Sequence, residues 1–549
     1  MDMQRGTQQA DSGSSQEHVQ EHAQEIAAGS GGTEHEAAPS SAGGDTMERT
    51  VARNAAVVSG ATLVSRVLGF VRDCVVASVL GAGPLADAFF IALRLPNLMR
   101  RLFGEGSLSL ALIGEFAHTR QQSGAASAHA MVRTCLVWLL IILGGVCAAA
   151  MYWSGPVTAM LAPGLLHSPE IFARTAELVR LCFPYALLIC ITALCGAVLQ
   201  ARGHFLAPAL APCVFNCSLI AGAAVAWIAG WPVPEALGVA LLVAGVLQIV
   251  LQQPFLARAG FRWRGAWSLK DAGAKRVGRQ MLPSVFGAAV YQLSIVLTTM
   301  LASLLPEGSI SHLYYADRLV QFPLGVFGVA VGTAVLPALA NLAARGETAS
   351  FRTALEDSLR LTLFISLPAA AGLAGMADPI VNILFGRGAF TDAAVQQTVL
   401  ALWGYAPGLP AFAATRPLIA AFHARRDSAT PVAAAVGGLA VTVGGGAVLM
   451  QFMGVAGLAL AVSLGSWVNV VLLYRLFLRR EQCGGFSFRW AAVYLLLSAG
   501  VWGTAAYSSF RFGAWSLIAI PVIIVFYAGS AMVCRSPDMR LLLRRQAAG

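Results

Sequence analysis

The chain has 549 residues, of which 57% are hydrophobic and only 12% are charged, with a formal net charge of +10. A soluble globular protein carries about 25% charged residues, so this composition excludes a string of soluble domains and indicates a protein that crosses a membrane many times. The charge is divided unevenly: residues 1–50 hold two bases and nine acids, or −7, and residues 51–549 hold 35 bases and 18 acids, or +17.

Residues 1–50 are rich in Gln, Ser, Gly and Ala and contain almost no large apolar side chains. Such a segment cannot bury enough apolar surface to offset its chain entropy, so we predict a disordered, acidic tail in the cytoplasm. The tail lacks the basic start and adjacent apolar stretch of a signal peptide. Its scattered histidines, His18, His22 and His35, are weak evidence for a metal site, and we assign the tail no specific role.

The remainder of the chain alternates between long apolar stretches and short polar breaks. A membrane helix needs about 20 mainly apolar residues, and this pattern predicts an all-α polytopic membrane protein with about fourteen transmembrane helices. The predicted helices are 55–80, 84–116, 132–153, 176–200, 208–229, 235–257, 281–305, 311–343, 359–384, 396–423, 431–453, 455–478, 489–510 and 513–534.

Basic residues recur in every second connector between these helices. The most basic connector carries Arg258, Arg262, Arg264, Lys270, Lys275, Arg276 and Arg279, whereas the neighbouring connectors carry Glu235 and Glu307. Cytoplasmic loops are enriched in Lys and Arg, so we predict an even number of helices with both termini in the cytoplasm. Topology explains these bases better than nucleic acid binding does. The ten cysteines form no CxxC pair, so no metal site or disulfide framework is predicted.

A pattern of Pro, Arg and Pro occurs twice at an offset of 223 residues. The first set is Pro184, Arg202 and Pro208, and the second is Pro407, Arg425 and Pro431. The offset superposes the fourth and fifth helices on the tenth and eleventh, which predicts two pseudo-symmetric six-helix lobes with a binding site between them. Chance matching of common residues is the alternative. The predicted regions are the tail 1–50, the N-lobe 51–257, a basic cytoplasmic linker 258–280, the C-lobe 281–480, two C-terminal helices within 488–535, and a basic cytoplasmic tail 536–549.

Charged residues interrupt three of the predicted helices. They are Arg66, Arg72 and Asp73 in the first, Asp87, Arg94, Arg100 and Arg101 in the second, and Asp317 and Arg318 in the eighth. A charge near the bilayer centre costs at least ~2.5–3.5 kcal/mol, so such groups normally face a cavity or pair with each other. The excess of arginine predicts an anionic ligand, because guanidinium groups match phosphate and pyrophosphate geometry. The alternative is that these charges only form internal salt bridges or snorkel to the membrane surface.

Three sequence strings carry a resemblance to a known family. They are SRVLGFVRD at 65–73, ADAFF at 86–90 continuing into RLPNLMRRLFGEG at 94–106, and YYADRL at 314–319 followed by Phe322 and Pro323. They resemble the signatures of the MurJ (MviN) lipid II flippases, within the multidrug/oligosaccharidyl-lipid/polysaccharide exporter superfamily, and the resemblance covers about residues 51–535.

The resemblance implies two six-helix lobes plus two C-terminal helices in the bacterial inner (plasma) membrane. It implies a transporter, not an enzyme, without a cofactor. Its substrate would be lipid II, an undecaprenyl-pyrophosphate-linked disaccharide-pentapeptide, moved from the cytoplasmic to the periplasmic leaflet by alternating access. The other partners would be membrane lipids and the cell-wall synthesis machinery.

The resemblance also assigns roles to individual residues. The substrate-binding residues would be Arg66, Arg72, Asp73, Asp87, Arg100 and Arg318, with Ser311 placed by its spacing from the YYADR string, and Glu105 would be a gate acid. Gln321 stands where many members carry Glu, which weakens the case for a proton-linked role there. The seventh helix, 282–305, has no acid within the apolar span, which argues against a sodium site.

Three other functions compete with this interpretation. Another lipid-linked oligosaccharide flippase would need the same cationic cavity, whereas a drug or cation antiporter of the superfamily would need acids in it. A membrane-embedded enzyme that uses polyprenyl phosphate would need a catalytic base or a metal cluster. The candidate histidines, His167, His204, His312 and His423, are single and scattered, so no reaction centre is predicted.

Overall fold

The computed structural model describes residues 42–104, 107–325, 329–481 and 489–534, together with Ser536 and Asp538. The first helices are α1 (Ala42–Leu80), α2 (Pro84–Met99), α3 (Ser107–Tyr152), α4 (Ser154–Leu161), α5 (Pro169–Cys182), α6 (Tyr185–Ala201), α7 (Leu206–Ala229) and α8 (Val233–Arg258). The later helices are α9 (Ala272–Ala302), α10 (Ser309–Pro323), α11 (Val329–Ala344), α12 (Thr348–Gly375), α13 (Ala377–Phe385), α14 (Asp392–Tyr405), α15 (Leu409–Ala424), α16 (Ala429–Glu481), α17 (Arg489–Phe512) and α18 (Ile520–Val533).

These helices confirm the prediction of an all-α polytopic membrane protein. Within the described part of the chain, eight helical stretches are long and apolar enough to cross a membrane by length and composition alone. The 53-residue α16 contains both predicted helices 431–453 and 455–478. Gly454, with φ 55° and ψ −128°, interrupts α16 between them. Residues 1–41 of the predicted tail 1–50 lie outside the described residues. Residues 42–50, which we predicted to be disordered, form the start of α1. The chain divides into two units after Ala56, and every contact below lies within 57–549.

Five predicted helices prove to be interrupted, and two of them, 176–200 and 396–423, break at the prolines described below. The predicted helix 84–116 is wrong in its second half, because α2 ends in a π-helical turn at Arg100–Gly104 and α3 begins at Ser107. The predicted helix 311–343 is divided between α10 and α11, and the predicted helix 359–384 between α12 and α13. The composition stays apolar through the breaks after α10 and α12, so hydropathy alone does not reveal them, whereas the break after α2 carries Arg100, Arg101 and Glu105.

The two lobes repeat at the offset that the sequence predicts. The starts of α4 and α13, of α5 and α14, and of α7 and α16 are each separated by 223 residues. Both lobes also interrupt the equivalent helix at a proline, at Pro184 and at Pro407, since proline lacks the N–H that continues a helix. The repeat extends to side chains: Arg202 donates to the Ala259 carbonyl, and the equivalent Arg425 pairs with Glu481.

The C-terminal helices α17 and α18 are fastened to α12 of the C-lobe. The Tyr527 hydroxyl donates to the Phe364 carbonyl at 2.8 Å. Arg360 donates to both carboxylate oxygens of Asp538, at 3.1 and 2.9 Å, and the Tyr494 hydroxyl donates to the same carboxylate. Because Asp538 is fully buried, this ion pair holds the end of the chain against the C-lobe.

Candidate functional site

A polar cavity lies between the lobes and has two halves. The N-lobe half has a volume of about 480 Å³ and is lined by α1, α2, α6, α7 and α8, with side chains from α9 and α10. The C-lobe half has a volume of about 470 Å³ and is lined mainly by α9, α10, α15 and α16. The residues that line both halves are Arg94, Arg101, Ile295, Tyr314 and Arg318. The two halves therefore form adjoining parts of one site.

The N-lobe half is strongly cationic. Its arginines are Arg66, Arg72, Arg94, Arg100, Arg101 and Arg318. Among its described lining residues Asp73 is the single acid. Six guanidinium groups and one carboxylate leave a large excess of positive charge in this half. Because uncompensated charge inside a membrane is costly, an anionic ligand is the expected counter-charge.

Arg72 is held in place by two neighbours. Its Nε and Nη2 donate to Asp73 Oδ1 at 3.0 and 2.6 Å, and its Nη1 donates to Asn216 Oδ1 at 2.9 Å. The Asn216 amide is oriented in turn, because Nδ2 donates to the Ser65 carbonyl at 2.9 Å. The guanidinium is thus fixed at the cavity wall before any ligand arrives.

Asp73 also connects the two lobes. Its Oδ2 lies 4.0 Å from Nε of Arg318, and the Tyr314 hydroxyl donates to its Oδ1 at 3.5 Å. The Arg318 guanidinium lies 4.6 Å above the Tyr314 ring, and that ring stacks on Phe90 at 3.9 Å. One carboxylate therefore positions an arginine from each lobe, Arg72 and Arg318, at the same point in the cavity.

The other predicted arginines line the N-lobe half at different positions. Arg66 lies against Gly325 of the C-lobe, where a Cβ would come within 2.5 Å of Arg66 Nη1, so a larger residue there would displace the guanidinium. Arg100 opens the π-helical turn after α2. Arg94, which sequence reasoning noted but did not assign, has a buried Nε without a hydrogen-bond partner among the described residues.

Asp87 and Ser311 are brought together, but outside both halves of the cavity. Asp87 is 4% exposed and accepts from the backbone N–H groups of Gly308 and Ser311, each at 2.7 Å. The carboxylate thus caps the N-terminus of α10 from the opposite lobe. The Ser311 hydroxyl donates to the Gly308 carbonyl at 2.8 Å. Glu105, the predicted gate acid, lies outside the described residues.

Further contacts beside Asp87 close one end of the cavity. The Ala389 N–H donates to the Ser78 carbonyl at 2.8 Å, and the Gly164 N–H donates to Ser303 Oγ at 3.1 Å. The Tyr315 hydroxyl donates to the Gly81 carbonyl at 3.2 Å. We call this set of contacts, together with the Asp87 cap, the closed seam. Both lobes contribute backbone groups to it, so it would have to separate for the cavity to open at that end.

Sequence reasoning missed part of the site. Arg416 lies inside the predicted helix 396–423 and lines the C-lobe half, so the rule that found the other intramembrane charges would have found it too. Asn216 and Asn469 are amides inside apolar helices, a weaker signal of the same kind. Gln321 lines the C-lobe half and donates to Asp317 at 3.4 Å.

Known proteins match the chain over most of its length. The family model described as Lipid II flippase MurJ matches residues 76–526. The chain is 35% identical over 442 residues to a probable lipid II flippase MurJ of Vibrio cholerae, covering 78% of this chain and 83% of the relative. It is 36% identical over 425 residues to the lipid II flippase MurJ of Burkholderia cenocepacia, covering 76% and 82%.

Solved structures share the fold. A lipid II flippase MurJ in an inward closed conformation aligns with a TM-score of 0.75 at 23% identity, covering 87% of this chain and 98% of that one. An inward-facing multidrug resistance MATE family transporter of the MOP superfamily aligns with a TM-score of 0.65 at 14% identity, covering 76% and 94%. At these identities the structures bear on the architecture alone.

Proposed function

Since the chain belongs to the MurJ family of lipid II flippases, we propose that it moves lipid II from the cytoplasmic to the periplasmic leaflet of the bacterial inner membrane. The observation that carries this proposal is the N-lobe half, with six arginines and one acid among its described lining residues. Lipid II presents a pyrophosphate between its polyprenyl tail and its headgroup, and bidentate arginine contacts suit that group.

The pyrophosphate binds where the lobes meet. Arg72 and Arg318 are both positioned by Asp73, so they offer guanidinium groups from opposite lobes to one ligand. Arg66 adds a third from the rim of the N-lobe half. Because these groups are already oriented, the ligand replaces water without reorganising the site. Arg100 attracts the headgroup at the entrance, and Glu105 acts as a gate acid there.

Transport follows from alternating opening of the two ends. In this structure the closed seam joins the lobes at one end, and the predicted topology makes that end periplasmic. Rocking of the lobes would separate Asp87 from the α10 backbone and expose the cavity to the periplasm. The polyprenyl tail stays in lipid, in a groove formed by the two C-terminal helices α17 and α18. The membrane potential resets the carrier, since one charge crossing 100 mV is worth ~2.3 kcal/mol.

The same proposal specifies the membrane topology of the protein and its partners. Both termini lie in the cytoplasm, with the acidic segment 1–50 and the basic segment 536–549 on that side. The protein acts as a transporter and not as an enzyme, with lipid II and membrane lipids as its direct partners. The cell-wall synthesis machinery, which consumes lipid II at the periplasmic face, would be its functional neighbour.

A cation or drug antiporter fits the cavity less well. Such a transporter attracts its ligand with carboxylates, and the described lining residues offer one carboxylate in each half, Asp73 and Asp317, each close to arginine. A cation would therefore meet like charge on entering either half, whereas an anionic headgroup meets opposite charge throughout.

Rescue of cells depleted of the native gene tests the proposal. Arg66→Ala and Arg318→Ala are expected to fail to restore growth and the exposure of lipid II at the outer leaflet. Arg345→Ala, which removes a 73% exposed arginine side chain in the connector after α11, is the matched control and should restore both. If the two cavity variants restored lipid II exposure to the wild-type level, the pyrophosphate site would be wrong.

A further inference from the structure

The C-lobe half differs from the N-lobe half in its polar chemistry. Five of its lining residues are hydroxyl side chains that donate their proton to a carbonyl of their own helix. They are Thr298 to Ser294 at 2.8 Å, Thr299 to Ile295 at 2.8 Å, Thr415 to Ala411 at 2.8 Å, Thr442 to Gly438 at 3.1 Å and Ser466 to Val462 at 2.9 Å. A hydroxyl has one proton and two lone pairs, so each of these oxygens can only accept a further hydrogen bond.

Asn469 adds an acceptor that makes no hydrogen bond within the described part of the chain. Its Oδ1 is buried and has no hydrogen-bond partner among the residues that the structure describes. The side chain lies against α16 itself, where a Cβ on Gly438 would come within 3.0 Å of Asn469 Cβ. A buried, unsatisfied acceptor costs about 1–3 kcal/mol, so an N–H donor from a ligand would recover that cost.

Arg416 supplies the cationic group that belongs to the C-lobe half alone. It lines the cavity from α15 beside Thr415, on the wall to which Asn469 and the hydroxyl acceptors also belong. Its repeat-equivalent residue in the N-lobe, 223 positions earlier, is Ala193, which also lines the cavity. The arginine is therefore a property of this half and not of the duplicated fold.

We propose that the C-lobe half binds the peptide of the lipid II headgroup, with Asn469 and the hydroxyl oxygens accepting from its N–H groups and Arg416 binding a carboxylate. This inference rests on the proposed function. A peptide is the part of the headgroup that combines many N–H donors with carboxylates, which is the complement of this wall. A pyrophosphate offers only acceptors, and it matches the arginines of the N-lobe half.

The arrangement also orients the substrate. Arg94, Arg101, Tyr314 and Arg318 line both halves, so a ligand held by its pyrophosphate in the N-lobe half extends directly into the C-lobe half. The peptide then bridges the lobes, and recognition of the complete headgroup requires both. A precursor that lacks the peptide would occupy the N-lobe half only.

Equilibrium binding to the full-length protein in nanodiscs tests the subsite with three ligands. They are lipid II, the same lipid-linked disaccharide without its peptide, and undecaprenyl pyrophosphate. Asn469→Leu and Arg416→Gln are each expected to weaken binding of lipid II about tenfold and to leave the affinities of the two peptide-free ligands unchanged. Unchanged binding of those ligands also shows that each variant is folded.

Thr442→Val is a milder variant, for which we expect about a threefold loss for lipid II alone. Its matched control is Thr353→Val on α12, where an exposed threonine also donates to its own helix but lines neither half. Equal losses for the peptide-free disaccharide would overturn the proposal in favour of a sugar site, and unchanged lipid II binding would overturn it outright. Failure of the wild-type protein to bind any of the three ligands would instead reject the proposed function.

Discussion

The two halves of the cavity are built on one duplicated plan and differ in the chemistry placed on it. On the helices α6 and α7 of the N-lobe and their counterparts α15 and α16, residues 223 positions apart line the two halves. The pairs are Ile189 and Phe412, Thr192 and Thr415, Ala193 and Arg416, Pro212 and Ala435, Phe215 and Gly438, Asn216 and Leu439, and Leu219 and Thr442. The backbone supplies equivalent positions, and the side chains add Arg66, Arg72 and Arg100 to the N-lobe half and hydroxyl acceptors to the C-lobe half.

These pairs show that the chemical asymmetry between the two lobes arises from side chains at equivalent positions. Asn216 positions Arg72 in the N-lobe, whereas its equivalent, Leu439, has no polar group. Thr442 adds an acceptor in the C-lobe, whereas its equivalent, Leu219, is apolar. A single exchange at an equivalent position can therefore change which part of a ligand each half binds, without altering helix packing.

The largest expected effect comes from removing the fixed arginine of the N-lobe half. Arg72→Gln removes the guanidinium that Asp73 and Asn216 position, and with it two charge-assisted bonds to the pyrophosphate. We expect the affinity for undecaprenyl pyrophosphate to fall about 100-fold and rescue of depleted cells to fail. Equilibrium binding measures the loss, with Arg345→Ala as the control. If the variant bound this ligand normally, the assignment of Arg72 as a donor to the pyrophosphate would be wrong.

The second prediction concerns the closed seam, which closes one end of the cavity that the two halves share. Asp87→Asn replaces the charged acceptor of two backbone N–H groups by a neutral one. We expect the population open at this end to rise about tenfold, because charge-assisted bonds are about twice as strong as neutral ones. Accessibility of a cysteine at position 309 to a membrane-impermeant reagent, in a variant without the native cysteines, measures the change.

Ser311→Ala separates a capping role from a ligand-binding role at the same place. The Ser311 hydroxyl donates to the Gly308 carbonyl, and the backbone N–H of Ser311 makes the 2.7 Å bond to Asp87. The alanine variant keeps that N–H, so we expect a change in accessibility of less than about twofold. An effect as large as that of Asp87→Asn would contradict the cap.

These contacts also mark the limit of what the sequence predicts. The hydropathy pattern locates the break at Gly454, because a basic or glycine-rich boundary is a local property. The charges Arg66, Arg72, Asp73 and Arg318 can be found because a charge in an apolar helix is conspicuous. The capping of α10 by Asp87 depends on how two distant helices approach each other. Nothing local to Asp87 distinguishes a carboxylate that faces a cavity from one that caps a helix of the other lobe.

A third prediction exchanges the chemistry of one equivalent pair. Asn216→Leu gives the N-lobe the residue of the C-lobe and removes the 2.9 Å bond to Arg72 Nη1. We expect the affinity for undecaprenyl pyrophosphate to fall about tenfold, the effect of one hydrogen bond to a charged group. The reciprocal variant Leu439→Asn should not change that affinity. If both variants weakened binding equally, the two positions would not have diverged in role.

The smallest expected effect lies at a second equivalent pair, outside the membrane. Asp427 caps α16, with Oδ1 accepting from the N–H groups of Ala429 and Thr430, each at 3.1 Å. Its N-lobe equivalent is His204, and α7 begins without a side-chain cap. The bonds from Thr430 and the pairing with Arg480 lower the pKa of Asp427.

A carboxylate whose pKa is lower in the folded protein stabilises the fold above its unfolded pKa, and that contribution disappears as the pH falls through the folded value. Asp427→Ala should therefore lower the thermal midpoint at pH 7 by an amount corresponding to about 1 kcal/mol, and the difference from wild type should shrink below about pH 4. His204→Ala should leave the midpoint nearly unchanged at both pH values. A difference for Asp427→Ala that stayed constant on acidification would show that the carboxylate charge contributes nothing to the cap, and an equal loss for His204→Ala would show that the lobes do not differ here.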